Sequence, residues 1–212
     1  MKKLVVFCIA IATLSFAQAQ EAKKLLNEVS AKVKSYDNFS IDFKVKLDNA
    51  KEGISQETRG DVVISGNKYK LNMNGGTEMF DGKKIYRISP VDEEVTIEAY
   101  DPNNDKTITP SKMMSFYEKG YTYKMDILQN VRGRKIQYVK LIPIDSNAEF
   151  KSYLLGIDAQ TKHIYNLIQV DSKGTKYTTT VNSFKTNEPL SKTLFVFDEA
   201  KYKKDGYYIN KM

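Results

Sequence analysis

The chain has 212 residues and a formal net charge of +7, with one cysteine, one histidine and no tryptophan. A single histidine and a single cysteine are too few to assemble a catalytic metal site or a conventional nucleophile–histidine pair. The lysines are scattered and alternate with apolar residues, as in Lys44-Val45-Lys46, which is how the wet face of a sheet reads and not how a nucleic-acid patch does.

The first twenty residues, MKKLVVFCIAIATLSFAQAQ, place Lys2 and Lys3 ahead of an apolar run from Leu4 to Leu14 and the small-residue pattern Ala17-Gln18-Ala19. This predicts a secretory signal peptide over residues 1–19, cleaved after Ala19. The run is shorter than the ~20 apolar residues that a bilayer span needs, and Ser15 and Gln18 interrupt its end. Cys8 lies inside the run and not at the cleavage site, so no lipidation of this chain is expected. Cleavage would remove Lys2, Lys3 and Cys8, lowering the formal charge from +7 to +5 and leaving a domain without disulfides in an oxidising compartment. Residues 20–212 have the length of one domain able to bury a core. Their modest positive balance leaves an acidic partner protein or anionic lipid headgroups as open partners.

After the leader, Ala22, Leu25, Leu26, Val29, Val33 and Tyr36 recur at helical spacing, with lysines opposite. They predict an amphipathic helix over 21–36, ended by Asp37-Asn38. Strands follow near 39–48, 54–65, 68–74, 77–80, 83–89, 93–100, 121–128, 134–144, 150–158, 163–171 and 175–185, with a short one at 194–198. Turn signals such as Gly66-Asn67, Gly75-Gly76, Asp81-Gly82, Arg132-Gly133 and Ser172-Lys173-Gly174 separate them. Links this short require antiparallel pairing. Between Asp101 and Gly120 the pattern breaks into a polar loop. A short helix, SKMMSFYEK, follows, with Thr109 as its N-cap and Pro110 at its first position. It carries Met113, Met114, Phe116 and Tyr117.

FSIDFKVKLD, residues 39–48, alternates without a slip: Phe39, Ile41, Phe43, Val45 and Leu47 on one side, polar residues on the other. Val62/Ile64, Tyr69/Leu71/Met73, Tyr86/Ile88 and Val95/Ile97 extend the inventory of greasy faces. Two helices, each ~10–12 Å across, cannot cover about eleven strands spaced ~4.8 Å apart. Such a sheet can close into a filled barrel, stack on a partner, or curl around an apolar ligand.

Catalytic chemistry is sparse. His163 reads as a surface residue at a strand edge, and Asp92-Glu93-Glu94 as a solvated hairpin tip. G-x-S-x-G, H-E-x-x-H and phosphate-cradling glycine loops are absent from the sequence. The expectation is a non-enzyme with no metal and no cofactor.

The order of features resembles a known family. Ala31-Lys32-Val33-Lys34-Ser35-Tyr36, Phe39 to Phe43, Gly60-Asp61-Val62-Val63-Ile64, Asp81-Gly82-Lys83-Lys84-Ile85-Tyr86, and Ile157-Asp158 with Asp171-Ser172-Lys173-Gly174 together look like the periplasmic outer-membrane lipoprotein carriers of the LolA type. The resemblance covers nearly the whole chain after the leader. It implies a mainly β fold with some α: a strongly curved, unclosed antiparallel sheet, a half-barrel of about eleven strands, covered by a few helices that enclose an apolar cavity. The implied function is to shield lipoprotein acyl chains between inner and outer membrane, as a monomer. Cargo would come from an inner-membrane ATP-driven extractor and go to an outer-membrane acceptor. The alternative is a lipid-sensing or protein-binding module on the same fold, without a transport role. On the transport reading, Phe39, Ile41, Phe43, Val45, Leu47, Val62, Ile64, Tyr69, Leu71, Met73, Tyr86, Ile88, Val95 and Ile97 line the cavity. Met113, Met114, Phe116 and Tyr117 form a lid. Methionines suit such a surface because thioether side chains repack around variable shapes. Members of the family often carry an Arg-Pro pair at the turn after the Gly-Asp strand, where this chain has Gly66-Asn67.

Overall fold

The computed structural model describes the backbone of residues 2–101 and 110–212 and, within those ranges, the side chains from Gln18 onward apart from Ser111 and Met113. Helix α1 spans Lys2–Lys34 and runs through Ala19 without a break. It ends two residues earlier than its apolar spacing predicts, where Ser35 donates both its amide and its hydroxyl to the Lys32 carbonyl. Then come β1 (Asn38–Asn49), β2 (Ile54–Ser65), β3 (Lys68–Met73), β4 (Gly76–Phe80), β5 (Lys84–Ser89) and β6 (Glu94–Ala99). Helix α2 (Pro110–Met113) and a one-turn 3₁₀ helix (Phe116–Glu118) precede β7 (Tyr121–Val131), β8 (Arg134–Pro143), β9 (Phe150–Asp158), β10 (Ile164–Asp171) and β11 (Lys176–Thr186). Helix α3 (Glu199–Lys204) and β12 (Tyr208–Lys211) end the described chain. Among the described residues no helix is long and apolar enough to cross a membrane.

All twelve strands belong to one sheet, ordered β12-β6-β5-β4-β3-β2-β1-β11-β10-β9-β8-β7. The sheet is unclosed, since β12 and β7 each have a neighbour on one side only. The eleven strands expected from alternation are all present. The short strand expected at 194–198 is not. There the amides of Leu194 and Val196 turn back to the carbonyls of Ser191 and Thr193, and Asp198 N-caps α3 by accepting from the Lys201 amide. The twelfth strand lies instead at Tyr208–Lys211 and pairs with β6 in parallel. Four residues are too few for period two to be legible.

The chain forms two compact units. One comprises Met1–Ser35, Val45–Gln56 and Phe116–Thr180; the other comprises Tyr36–Lys44, Glu57–Ser115 and Val181–Met212. In the first unit, Val139, Leu141 and Leu155 are fully buried and share a face by register. Tyr123 of β7, opposite Leu141, donates its hydroxyl to the Tyr117 carbonyl at 2.9 Å, so the 3₁₀ turn sits on that same face. Ser30 and Lys34 of α1 both donate to Glu118, placing the helix beside it. Ala22, Leu26 and Val29, one stripe of α1, are buried. The edge strand β7 carries a register shift between Met125 and Leu128, a bulge that makes an exposed edge a poorer template for pairing.

Candidate functional site

Strand register decides which apolar residues can act together, because directly paired side chains stand on the same face. In the second unit Val62 and Ile64 of β2 pair with Leu71 and Tyr69 of β3. Tyr69 and Leu71 pair with Phe80 and Glu78 of β4. Phe80 and Glu78 pair with Ile85 and Arg87 of β5, which pair with Glu98 and Thr96 of β6. One continuous face therefore carries Val62, Ile64, Tyr69, Leu71, Met73, Phe80 and Ile85, then a polar stripe of Glu78, Arg87, Thr96 and Glu98. Tyr69 is fully buried. Its hydroxyl donates to Glu78 at 2.6 Å, and burial, with Glu78 beside it, pushes the phenol far above its usual pKa.

β1 joins this face through Phe43. A Cβ built at Gly60 would lie 2.8 Å from the Phe43 Cζ, so the glycine gives the ring the room it occupies beside Met73. By alternation Phe39 and Ile41, both buried, stand on the same side of β1. Phe39 also stacks on Phe184 of β11, ring centroids 5.4 Å apart. Val45 and Leu47 continue the alternation of β1 in the other unit and are half-buried.

Four of the expected cavity residues do not share this face. Tyr86 and Ile88 pair with Met79 and Thr77 on one side and with Ile97 and Val95 on the other, which puts all of them on the opposite side of the sheet. There Met79, Tyr86, Ile88, Val95 and Ile97 form a buried cluster sealed by Phe197, Tyr202, Tyr207 and Ile209. Phe197 stacks on Tyr86 at 4.5 Å and on Tyr202 at 5.2 Å. The division has a simple cause. KIYRIS is apolar on both sides, Ile85 on one and Tyr86 with Ile88 on the other, and the C-terminal segment supplies cover that periodicity does not disclose. Tyr86 donates to Asp81 at 2.8 Å; burial and that carboxylate push the phenol up to about 12.

The expected lid helix is also differently built. Its N-cap, Thr109, and the side chain of Met113 lie outside the described residues. The rest is not one helix: α2 ends at Met113 and the 3₁₀ turn begins at Phe116. α2 lies against β3, and Met114 is half-buried. Tyr117 is fully buried and Phe116 packs edge-on against Tyr121, so these two anchor the first unit. At the Gly66-Asn67 turn, Gly66 has φ +58 and open space where a side chain would project. The arginine on the apolar face is Arg87, held by Glu78 at 3.0 Å and Glu98 at 2.6 Å. His163 is half-buried and its pKa is lowered, first by burial and then by Lys32, with Asp158 opposing. Asp92 and Glu93 are exposed at the β5–β6 turn. Among the described residues no group of three or more His, Cys, Asp or Glu side chains could hold a metal ion.

The family model for the outer membrane lipoprotein carrier protein LolA matches residues 34–198. The chain belongs to the LolA family. Its members are periplasmic carriers of a binding fold, and the match ends just before α3, so the segment that seals the Tyr86 cluster lies largely beyond it. No curated protein matches the sequence. Among solved structures, an uncharacterized conserved protein from Thermus thermophilus is similar over 91% of this chain and 99% of its own, with a TM-score of 0.60 and 8% identity. A DUF1329 family protein from Desulfovibrio piger is similar over 87% and 99%, with a TM-score of 0.50 and 8% identity. A putative outer membrane lipoprotein-sorting protein domain from Vibrio parahaemolyticus is similar over 89% and 98%, with a TM-score of 0.46 and 10% identity. At these identities the likeness to the Thermus and Desulfovibrio structures speaks for a shared fold alone.

Proposed function

We propose that this LolA-family chain is a periplasmic carrier that holds the acyl chains of lipoproteins on the apolar face of β1 to β5 and shuttles them from inner to outer membrane. The observation that carries the reading is one face, on which register joins Val62, Ile64, Tyr69, Leu71 and Met73 and to which the approach of Phe43 to Gly60 adds β1. Met114, just after α2, supplies an adaptable rim. The acyl chain is the ligand that such a face suits. Each methylene removed from water contributes about 0.8 kcal/mol, so area and adaptability matter more than fixed polar contacts. Tyr86, Ile88, Val95 and Ile97 serve as core beneath this surface, and no catalytic role is assigned to any residue.

The leader is cleaved after Ala19, and the mature monomer receives its cargo from an inner-membrane ATP-driven extractor and passes it to an outer-membrane acceptor. Because a carrier must let go, the loaded and empty states differ by only a few kcal/mol, and the direction of transfer follows the relative affinities of donor, carrier and acceptor. The test is to purify the exported protein, extract it with organic solvent, and look for co-purified lipid or lipoprotein by mass spectrometry, with Phe43→Asp as the comparison. Lipid on the wild type and none on a folded Phe43→Asp is the expected result. A lipid-free wild type that also fails to take up a lipidated cargo refutes the carrier reading and leaves a protein-binding module on the same fold.

A further inference from the structure

We propose that the pocket where the apolar face meets its polar stripe is a headgroup site for an alkylammonium, so that this face takes an acyl chain on β2 and β3 and an amine over β4 to β6. The inference rests on the acyl-binding reading and adds to it a chemical class for the polar end of the ligand.

The pocket has a volume of about 380 Å³, within the range of small-molecule sites and suited to an amine with its first methylenes. Leu71 and Met73 form its apolar wall, and Glu78, Arg87, Asp92 and Glu94 its polar one. Gly76 also lines it. A Cβ there would stand 3.2 Å from the Ile88 carbonyl oxygen, a tight backbone contact that the glycine avoids. Arg87, the one cation in the lining, already bridges Glu78 and Glu98. The other two carboxylates have neutral neighbours. Asp92 accepts from the Ser89 hydroxyl at 2.6 Å. Glu94 accepts from the Thr96 hydroxyl at 3.3 Å and the Asn210 amide at 3.5 Å. Among the described residues neither is ion-paired to a lysine or arginine.

A guanidinium already shared by two carboxylates, with two further carboxylates beside it, leaves the pocket acidic. An anionic headgroup would meet net repulsion there, and a fatty carboxylate would have to displace Glu78 or Glu98 to reach Arg87. An ammonium can approach Asp92 and Glu94 while its chain runs on over Leu71 and Met73. Asn210, which donates to Glu94 from behind the lining, comes from β12, beyond the stretch that the family model matches. The ammonium has two sources: the free α-amino group of a diacylated cysteine at a lipoprotein N-terminus, or the amine of an aminophospholipid.

The experiment measures binding of dodecylammonium and dodecanoate by isothermal titration calorimetry, below their micellar concentrations and in 0.15 M salt. The wild type is expected to bind the ammonium about tenfold more tightly or better, and Asp92→Asn with Glu94→Gln to bring the two chains within about threefold. Arg87→Gln should widen the preference, because it releases Glu78 and Glu98. Thermal unfolding checks that each variant is folded, and Glu94→Gln alone serves if the double variant is not. Equal affinity for both chains, or a preference undiminished in the folded double variant (in Glu94→Gln where the double variant does not fold), overturns the headgroup site and leaves the acyl reading standing. Failure of both chains to bind overturns the acyl reading itself. Competition then separates the sources: a diacylglyceryl-cysteinyl peptide with a free amine against its N-acetylated form for the lipoprotein, and vesicles rich in phosphatidylethanolamine for the lipid.

Discussion

Replacing Gly60 by alanine tests whether Phe43 and β3 are packed as the structure has them. The added Cβ would lie 2.7 Å from the Asn72 carbonyl oxygen, 2.8 Å from the Phe43 Cζ and 3.3 Å from the Met73 Cβ, against ordinary contacts of roughly 3.5–4 Å. The ring tip can swing away. The carbonyl cannot, since Asn72 is held in register opposite Asp61, and moving it pulls β3 from β2. Gly60 is not among the residues with positive φ, so alanine suits the backbone. By itself it would stabilise by about 0.4–1 kcal/mol through the unfolded chain. Overpacking of this kind costs about 1–3 kcal/mol, so the net loss is expected at roughly 0.5–2 kcal/mol, read from urea unfolding followed by circular dichroism. Adding Phe43→Leu should recover part of that loss and not all, because it removes the ring contact and leaves the carbonyl one. A Gly60→Ala protein as stable as the wild type, or more so, would refute the packing.

Truncation after Asp198 removes α3 and β12 and with them Tyr202, Tyr207 and Ile209, so Met79, Tyr86, Ile88, Val95 and Ile97 lose most of their cover. The shortened protein is expected to bind an apolar dye and to aggregate on warming, and a soluble, dye-silent truncation would show the segment to be dispensable. Acid should weaken the fold through Asp158. Burial pushes that carboxylate up, but the amides of Thr161 and Gln160 and the charge of Arg134 together hold it below the usual range. A depressed folded pKa means stability that is present above the unfolded pKa of ~3.9 and lost as pH falls through the folded one, so Asp158→Asn should flatten the acid limb of a melting-temperature profile below about pH 4. Hydrogen exchange is expected to be slow at Tyr117, whose side chain is fully buried, and faster in α2, a four-residue helix. Uniform protection from 110 to 118 would contradict the division of that segment into two pieces.

Local chemistry is enough to read most of this chain. Alternation and turn residues locate β1 to β11 within a residue or three of their observed ends in most cases, because a strand's period and a hairpin's turn are written in neighbouring positions. The family, too, is legible in the order of short motifs, and with it the unclosed sheet. What sequence leaves open is the face. Tyr69 pairs with Phe80, Phe80 with Ile85 and Ile85 with Glu98, so the greasy side of β3 continues onto the charged side of β6, and Val95 and Ile97 fall behind the sheet. Alternation says that a strand has two sides; only the pairing register says which side joins which. The same holds for Arg87, an ordinary cation in KIYRIS until β4 and β6 bring Glu78 and Glu98 to it. It holds again for the last residues, where Phe197, Tyr202, Tyr207 and Ile209 have no shared period and become one surface only by packing on a cluster far earlier in the chain.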